Sequence, residues 1–127
     1  MITILHVDDD HSIREIVSGY LSEHLHAKVT TAVSGNSAIQ LLKGGRRFDI
    51  IVSDYKMADG SGVDLLKYVI DNNLTSFFVI FSSELAPELP KKSGKFLGIV
   101  EKLDLEKLAR TIFFGVSTYG PLNHRKE

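Results

Sequence analysis

The chain has 127 residues, 43% of them hydrophobic and 24% charged, a formal net charge of -1, and no cysteine. That length suits one domain with a real buried core, and the missing cysteine excludes disulfides, thiolate metal sites and cysteine nucleophiles. The near-zero charge provides no basic field for nucleic acid, and no apolar run approaches the roughly 20 residues of a membrane span.

Ile2 to Val7 is a short run rich in β-branched residues and predicts the first strand. It has no basic n-region and runs into acid at Asp8, unlike a secretory leader, so a soluble cytoplasmic protein without a membrane segment is expected. His11 to Leu25 places Ile13, Ile16, Val17, Tyr20 and Leu21 at three- and four-residue spacings, the pattern of an amphipathic helix. Asp10 before it suits an N-cap. Lys28 to Val33 predicts the second strand. Ser34 to Lys43 predicts a short helix with Ile39, Leu41 and Leu42 inward and Gly44-Gly45 as its stop. Phe48 to Ser53 predicts the third strand, and Val63 to Ile70 a helix introduced by Gly60-Ser61-Gly62. Phe77 to Phe81 predicts the fourth strand and Leu97 to Val100 the fifth. Asp104 suits the N-cap of a last helix reaching about Val116. Residues 1–119 are expected to form the domain, with 120–127 as a short polar tail or linker start.

Strands alternating with helices predict parallel pairing through right-handed crossovers. The third and fourth strands are almost wholly apolar, as central strands covered on both faces are. The second carries Lys28, Thr30 and Thr31 and the fifth is short, so both belong at edges. The expected fold is α/β: a flavodoxin-like three-layer α/β/α sandwich with a five-stranded parallel sheet in the order 2-1-3-4-5. Ligands in such sheets sit beyond the carboxyl ends of the strands.

Those ends carry Asp8-Asp9-Asp10, Asp54, Ser82-Ser83 and Lys102. Carboxylates gathered in one crevice repel unless a cation intervenes. Hard oxygen donors with room for water suit Mg²⁺. A carboxylate beside that ion can attack phosphorus and form an aspartyl-phosphate. An ammonium and the metal would neutralise charge on the transferring oxygens.

Two segments carry a family resemblance. Ile4-Leu5-His6-Val7-Asp8-Asp9-Asp10 and the stretch from Phe48 through Asp54-Tyr55-Lys56-Met57-Ala58-Asp59-Gly60-Ser61-Gly62 are similar to the acidic pocket and phosphorylation loop of the response-regulator receiver domain of two-component signalling. The resemblance extends over essentially the whole chain and is to the single-domain, chemotaxis-type form. It implies Asp54 as phosphoacceptor and Asp9 as a direct Mg²⁺ ligand together with Asp54. It further implies Asp8 as a ligand through water, the Lys56 backbone carbonyl as another ligand, Ser82 as the switch hydroxyl and Lys102 as the conserved-type lysine. The implied partners are a histidine kinase or phosphotransfer protein, and a downstream protein on the face of the fourth helix, fifth strand and fifth helix. Direct nucleic-acid binding is not expected, and such a domain assists only its own phosphorylation and dephosphorylation.

The sequence departs from the family pattern at four places. Ala58 and Leu103 stand where proline is usual, and Ile99 stands at the aromatic switch position. Pro87 and Pro90 fall where the fourth helix should run, which predicts a short or displaced helix. Leu103 in place of proline predicts a trans Lys102–Leu103 peptide. Lys56 and Glu84, each two residues after a site residue, are expected to pair across the pocket mouth. Other functions fit less well. A pseudo-receiver acting only as a protein-interaction module would not need the complete acidic set with Lys102. A haloacid-dehalogenase-like phosphatase needs an aspartate where Lys56 stands. A flavodoxin needs a phosphate loop where Asp8-Asp9-Asp10 would repel phosphate.

Overall fold

The strands are β1 (Thr3–Val7), β2 (Lys28–Ala32), β3 (Ile50–Ser53), β4 (Phe77–Ser82) and β5 (Phe96–Glu101), and the helices are α1 (His11–Leu25), α2 (Gly35–Lys43), α3 (Gly62–Asp71) and α4 (Leu105–Tyr119). The computed structural model describes residues 1–84 and 95–119. The fourth helix expected around Pro87 and Pro90, and the tail from Gly120, lie outside the described residues. The last helix therefore carries the label α4 here.

One sheet runs β2-β1-β3-β4-β5, with every neighbouring pair parallel. This is the expected flavodoxin-like order. Side chains alternate across the sheet with a period of two, and both faces are covered, so alternation appears as two cores. Ile4, Ile50, Val52, Phe77, Val79, Phe81 and Val100 pack with Val17 and Leu21 of α1 and Leu108, Ile112 and Val116 of α4. Leu5, Val7, Ile51, Phe78 and Ile80 point the other way, against Ala38 and Leu42 of α2 and Leu65, Leu66 and Val69 of α3. Three layers result. Every residue of β3 and β4 is buried, whereas β2 exposes Lys28 and Thr31.

Side-chain caps fix where the helices begin. Asp10 accepts from the Ile13 amide and Asp104 from the Lys107 amide, both as expected. Ser34 and Ser61 form capping boxes with Ser37 and Asp64, satisfying amides that a helix N-terminus leaves free.

Three expectations need correction. Ile16 is exposed, because α1 turns Val17 and Leu21 to the sheet and leaves position 16 at the margin. Val33 is also exposed and lies past the end of β2. The fifth strand is not short: β5 has six residues, as many as β4. Its register against β4 shifts between Phe78 and Ile80, where Gly98 holds φ 106°. Glycine takes that backbone without a Cβ penalty.

Candidate functional site

The backbone of the crevice is gripped by continuations of the sheet ladder. The Asp8 amide donates to the Ala32 carbonyl, the Asp54 amide to the Val7 carbonyl and the Lys102 amide to the Ser82 carbonyl. Each site residue thus begins where a strand ends, and its main chain is already ordered. Gly62 closes the loop after Asp54: its amide donates to the Tyr55 carbonyl, and a Cβ there would collide with the Asp54 carbonyl oxygen. That collision explains the glycine at this position of the motif.

Asp8 is fully buried and Asp54 nearly so. The Lys102 Nζ lies 2.9 Å from Asp8 Oδ2 and 2.9 Å from Asp54 Oδ2, so one ammonium bridges carboxylates from β1 and β3. Asp8 Oδ1 accepts from the Asp10 amide, and the Arg14 guanidinium donates to the Asp8 carbonyl at 2.8 Å. Asp54 Oδ1 accepts from the Tyr55 amide at 2.7 Å. Burial pushes the Asp54 carboxyl above the usual range, and the Asp8 charge adds to this against the opposing pull of Lys102 and the Tyr55 amide. Burial works against the Lys102 charge, yet pairing with Asp8 and Asp54 raises its pKa overall. Lys102 therefore stays an ammonium.

Asp8, Asp9 and Asp54 each offer a carboxylate oxygen, all within 4.8 Å of one another. Asp9 is exposed. Three carboxylates against one ammonium leave excess negative charge, and an oxygen-only donor set open to water on one side fits a hard divalent cation such as Mg²⁺. Ser82 is buried and its Oγ accepts from the Glu84 amide at 3.1 Å, while Ser83 is exposed. Lys56 Nζ and Glu84 Oε2 stand 3.4 Å apart, both side chains largely in solvent; the expected pair is present. No peptide among the described residues is cis, and Leu103 sits at φ 74°. The Lys102–Leu103 bond is thus trans, as expected, but the leucine is left-handed.

The sequence-based expectations did not single out two groups near the site. His6 is fully buried on β1, neither ring nitrogen meets a partner among the described residues, and burial lowers its pKa to about 4. A polar residue inside a strand covered on both faces is the signal that finds it. Asp59, in the loop after Asp54, bonds to the start of α2 through Ser34 and Asn36. Only the tertiary fold brings those segments together.

The family model of the response regulator receiver domain matches residues 4–100. The chain belongs to the response-regulator receiver family. The two-component response regulator ORR8 of Oryza sativa subsp. indica is 37% identical over 91 residues, covering 70% of this chain and 74% of that protein. Among solved structures, the Vibrio cholerae chemotaxis protein CheY4 is 31% identical with a TM-score of 0.72, covering 88% of this chain and 96% of that one. The Francisella response regulator 1452 receiver domain has a TM-score of 0.79 at 22% identity, covering 93% and 98%, a likeness of fold. Receiver domains are signalling domains of two-component systems, and this chain presents the receiver's acidic pocket. No helix among the described residues is long and apolar enough to cross a membrane.

Proposed function

We propose that this receiver, spanning residues 1–119, takes a phosphoryl group onto Asp54 from a histidine kinase or phosphotransfer protein in the cytoplasm. The observation that carries the proposal is the Lys102 ammonium placed 2.9 Å from carboxylates of both Asp8 and Asp54. Asp9 and Asp54 would hold Mg²⁺ directly, with the Lys56 carbonyl as a further ligand and Asp8 through water. When bound, that ion supplies charge neutralisation to the phosphoryl oxygens.

Asp54 attacks phosphorus through a carboxylate oxygen, and the bond from phosphorus to the donor's leaving atom breaks with its electron pair going to the donor. Burial leaves Asp54 poorly hydrated, so its charge is exposed to attack chemistry and not shielded by water. Lys102 remains protonated and meets the charge that builds on the phosphoryl oxygens. Ser82 Oγ accepts from the Glu84 amide and keeps its own O–H to donate a hydrogen bond to the attached group. Exposed Ile99 and Leu103 beside β5, with Phe113 and Phe114 on α4, offer apolar surface to a downstream protein.

Incubation with a small acyl-phosphate and Mg²⁺ tests the reading. The intact mass should rise by one phosphoryl group, a chelator should suppress the rise, and Asp54→Asn should remove it. A wild-type protein that folds but never gains the group would act as a phosphorylation-independent interaction module instead.

A further inference from the structure

The loop after Asp54 is fastened at its far end to the start of α2. Asp59 Oδ2 accepts from Ser34 Oγ at 3.0 Å, and Asp59 Oδ1 accepts from Asn36 Nδ2 at 2.8 Å. The Asn36 amide donates to the Asp59 carbonyl at 3.0 Å and the Gly35 amide to the Gly60 carbonyl at 2.9 Å. Two side-chain and two main-chain bonds thus join Ser34–Asn36 to Asp59–Gly60. A Cβ on Gly35 would strike the Gly60 carbonyl, and one on Gly60 would lie 2.7 Å from the Asn36 amide nitrogen. The main chains meet with no side chain between them.

We infer that Asp59 is a positioning residue that locks the loop of residues 55–61 against α2 and so presets the cation-binding side of the crevice. The inference rests on the proposed reading of Lys56 and Asp54 as cation ligands. The near end of this loop is fixed by Asp54 itself, through the Val7 carbonyl, and by the Gly62–Tyr55 bond. Lys56 lies between the two fixed ends. Its own side chain is largely exposed and pairs with Glu84, so among the described residues Lys56 has no buried side-chain anchor of its own. Asp59 bridges two donors from a different element, and one of them, Ser34, is buried and caps α2 through the Ser37 amide. Loss of the Asp59 carboxylate removes two of the four bonds at that end of the loop and leaves it held by main-chain bonds alone, with the Asp54 backbone still on its ladder. Oxygen ligands set by the loop then spend binding energy on ordering it, and cation affinity falls.

The simpler alternative is that Asp59 only stabilises α2, whose N-terminus favours a nearby negative charge. A Mg²⁺ titration without any phosphoryl donor separates the two, followed by the amide shifts of Tyr55 and Lys56, with thermal melting in the absence of Mg²⁺ as the structural control. Asp59→Ala should weaken Mg²⁺ binding by about tenfold. Asp59→Asn should bind near the wild-type level, because an amide can accept from Asn36 and donate to Ser34. Asn36→Ala, which removes one bond at an exposed residue, should shift affinity in the same direction by less and guards against a poorly folded Asp59→Ala. Unchanged Mg²⁺ affinity in Asp59→Ala and Asn36→Ala, with a lower melting temperature alone, overturns the inference and leaves the phosphoacceptor reading intact. No Mg²⁺ binding by the wild-type protein would count against that reading itself.

Discussion

Asp8 and Asp54 follow β1 and β3, two inner strands of the sheet, whereas Lys102 reaches the same crevice from the edge strand β5, whose path is irregular. On the inner side, the ladder bonds from Asp8 to Ala32 and from Asp54 to Val7 continue regular strands. Every residue of β3 is buried beneath them. On the outer side, β5 shifts register beside Gly98, Leu103 takes a left-handed backbone, and Ile99 and Leu103 are exposed. The carboxylates follow strands with a regular register, whereas the lysine that reads their charge follows a strand with a register shift and precedes a left-handed residue.

Removing the lysine breaks this comparison most severely. Lys102→Met leaves two buried carboxylates facing each other without compensation and removes the donor to the phosphoryl oxygens. Phosphorylation by an acyl-phosphate should slow by about 100-fold or more, measured from the initial rate of mass increase. Lys102→Arg should rescue little, since a planar guanidinium does not fit the position of a point charge between two single oxygens.

Acid tests the inner side. His6 has a pKa near 6.5 unfolded and about 4 folded, so between those values the unfolded chain binds more protons. Its contribution is complete above pH 6.5 and is lost as pH falls towards 4. The full loss corresponds to about 3 kcal/mol. Asp54 works in the opposite sense: its raised pKa lets the folded state take up a proton more readily. Denaturation of the metal-free protein at several pH values should show a steeper acid loss in wild type than in His6→Leu. Parallel curves would mean that the folded protein holds His6 as readily protonated as the unfolded chain does.

Much of this arrangement was legible in the sequence, because strand ends are set by hydrophobic runs and the chemistry stands directly after them. Asp8, Asp9, Asp54, Ser82 and Lys102 were all placed at the sheet edge by counting from Val7, Ser53, Phe81 and Val100. Burial further separates Ser82 from Ser83. What escaped depended on contacts between distant segments. The Asp59 bonds to Ser34 and Asn36 span 25 and 23 positions, and no local pattern predicts them. The true length of β5 escaped because its end residues, Phe96 and Glu101, belong to the strand through pairing with Phe78 and Ser82 of β4, which no local pattern shows. The trans peptide before Leu103 followed from the absence of proline, whereas its left-handed φ did not.

The rim offers a smaller effect. Lys56 and Glu84 are exposed, and such a pair contributes only about 0–1 kcal/mol to stability, so neither Lys56→Ala nor Glu84→Ala should change the melting midpoint much. Lys56 stands two residues after Asp54 and Glu84 two after Ser82, and a hydrolytic water must come in line with the Asp54–phosphorus bond; if the pair screens that approach, breaking it opens the path. Each single variant should lose phosphate faster than wild type, and the double variant little faster than either, because both break one contact. Four equal half-lives would reduce the pair to ordinary surface charge.

The smallest effect lies at Leu103. A leucine in the left-handed region costs roughly 1–2 kcal/mol, partly offset by the chain entropy that glycine adds to the unfolded state. Leu103→Gly should therefore gain about 0.5 kcal/mol in chemical denaturation. A clear loss would show that the exposed leucine makes contacts that outweigh its backbone strain.

The phosphoacceptor itself is tested most directly by locating the phosphoryl group. Peptide mapping by tandem mass spectrometry, after brief reaction with an acyl-phosphate and Mg²⁺, assigns the group to a residue. The account predicts a single modified residue, Asp54, in the wild-type chain, and no modified aspartate in Asp54→Asn. A phosphoryl group found on Asp8 or Asp9 with Asp54 intact would contradict it.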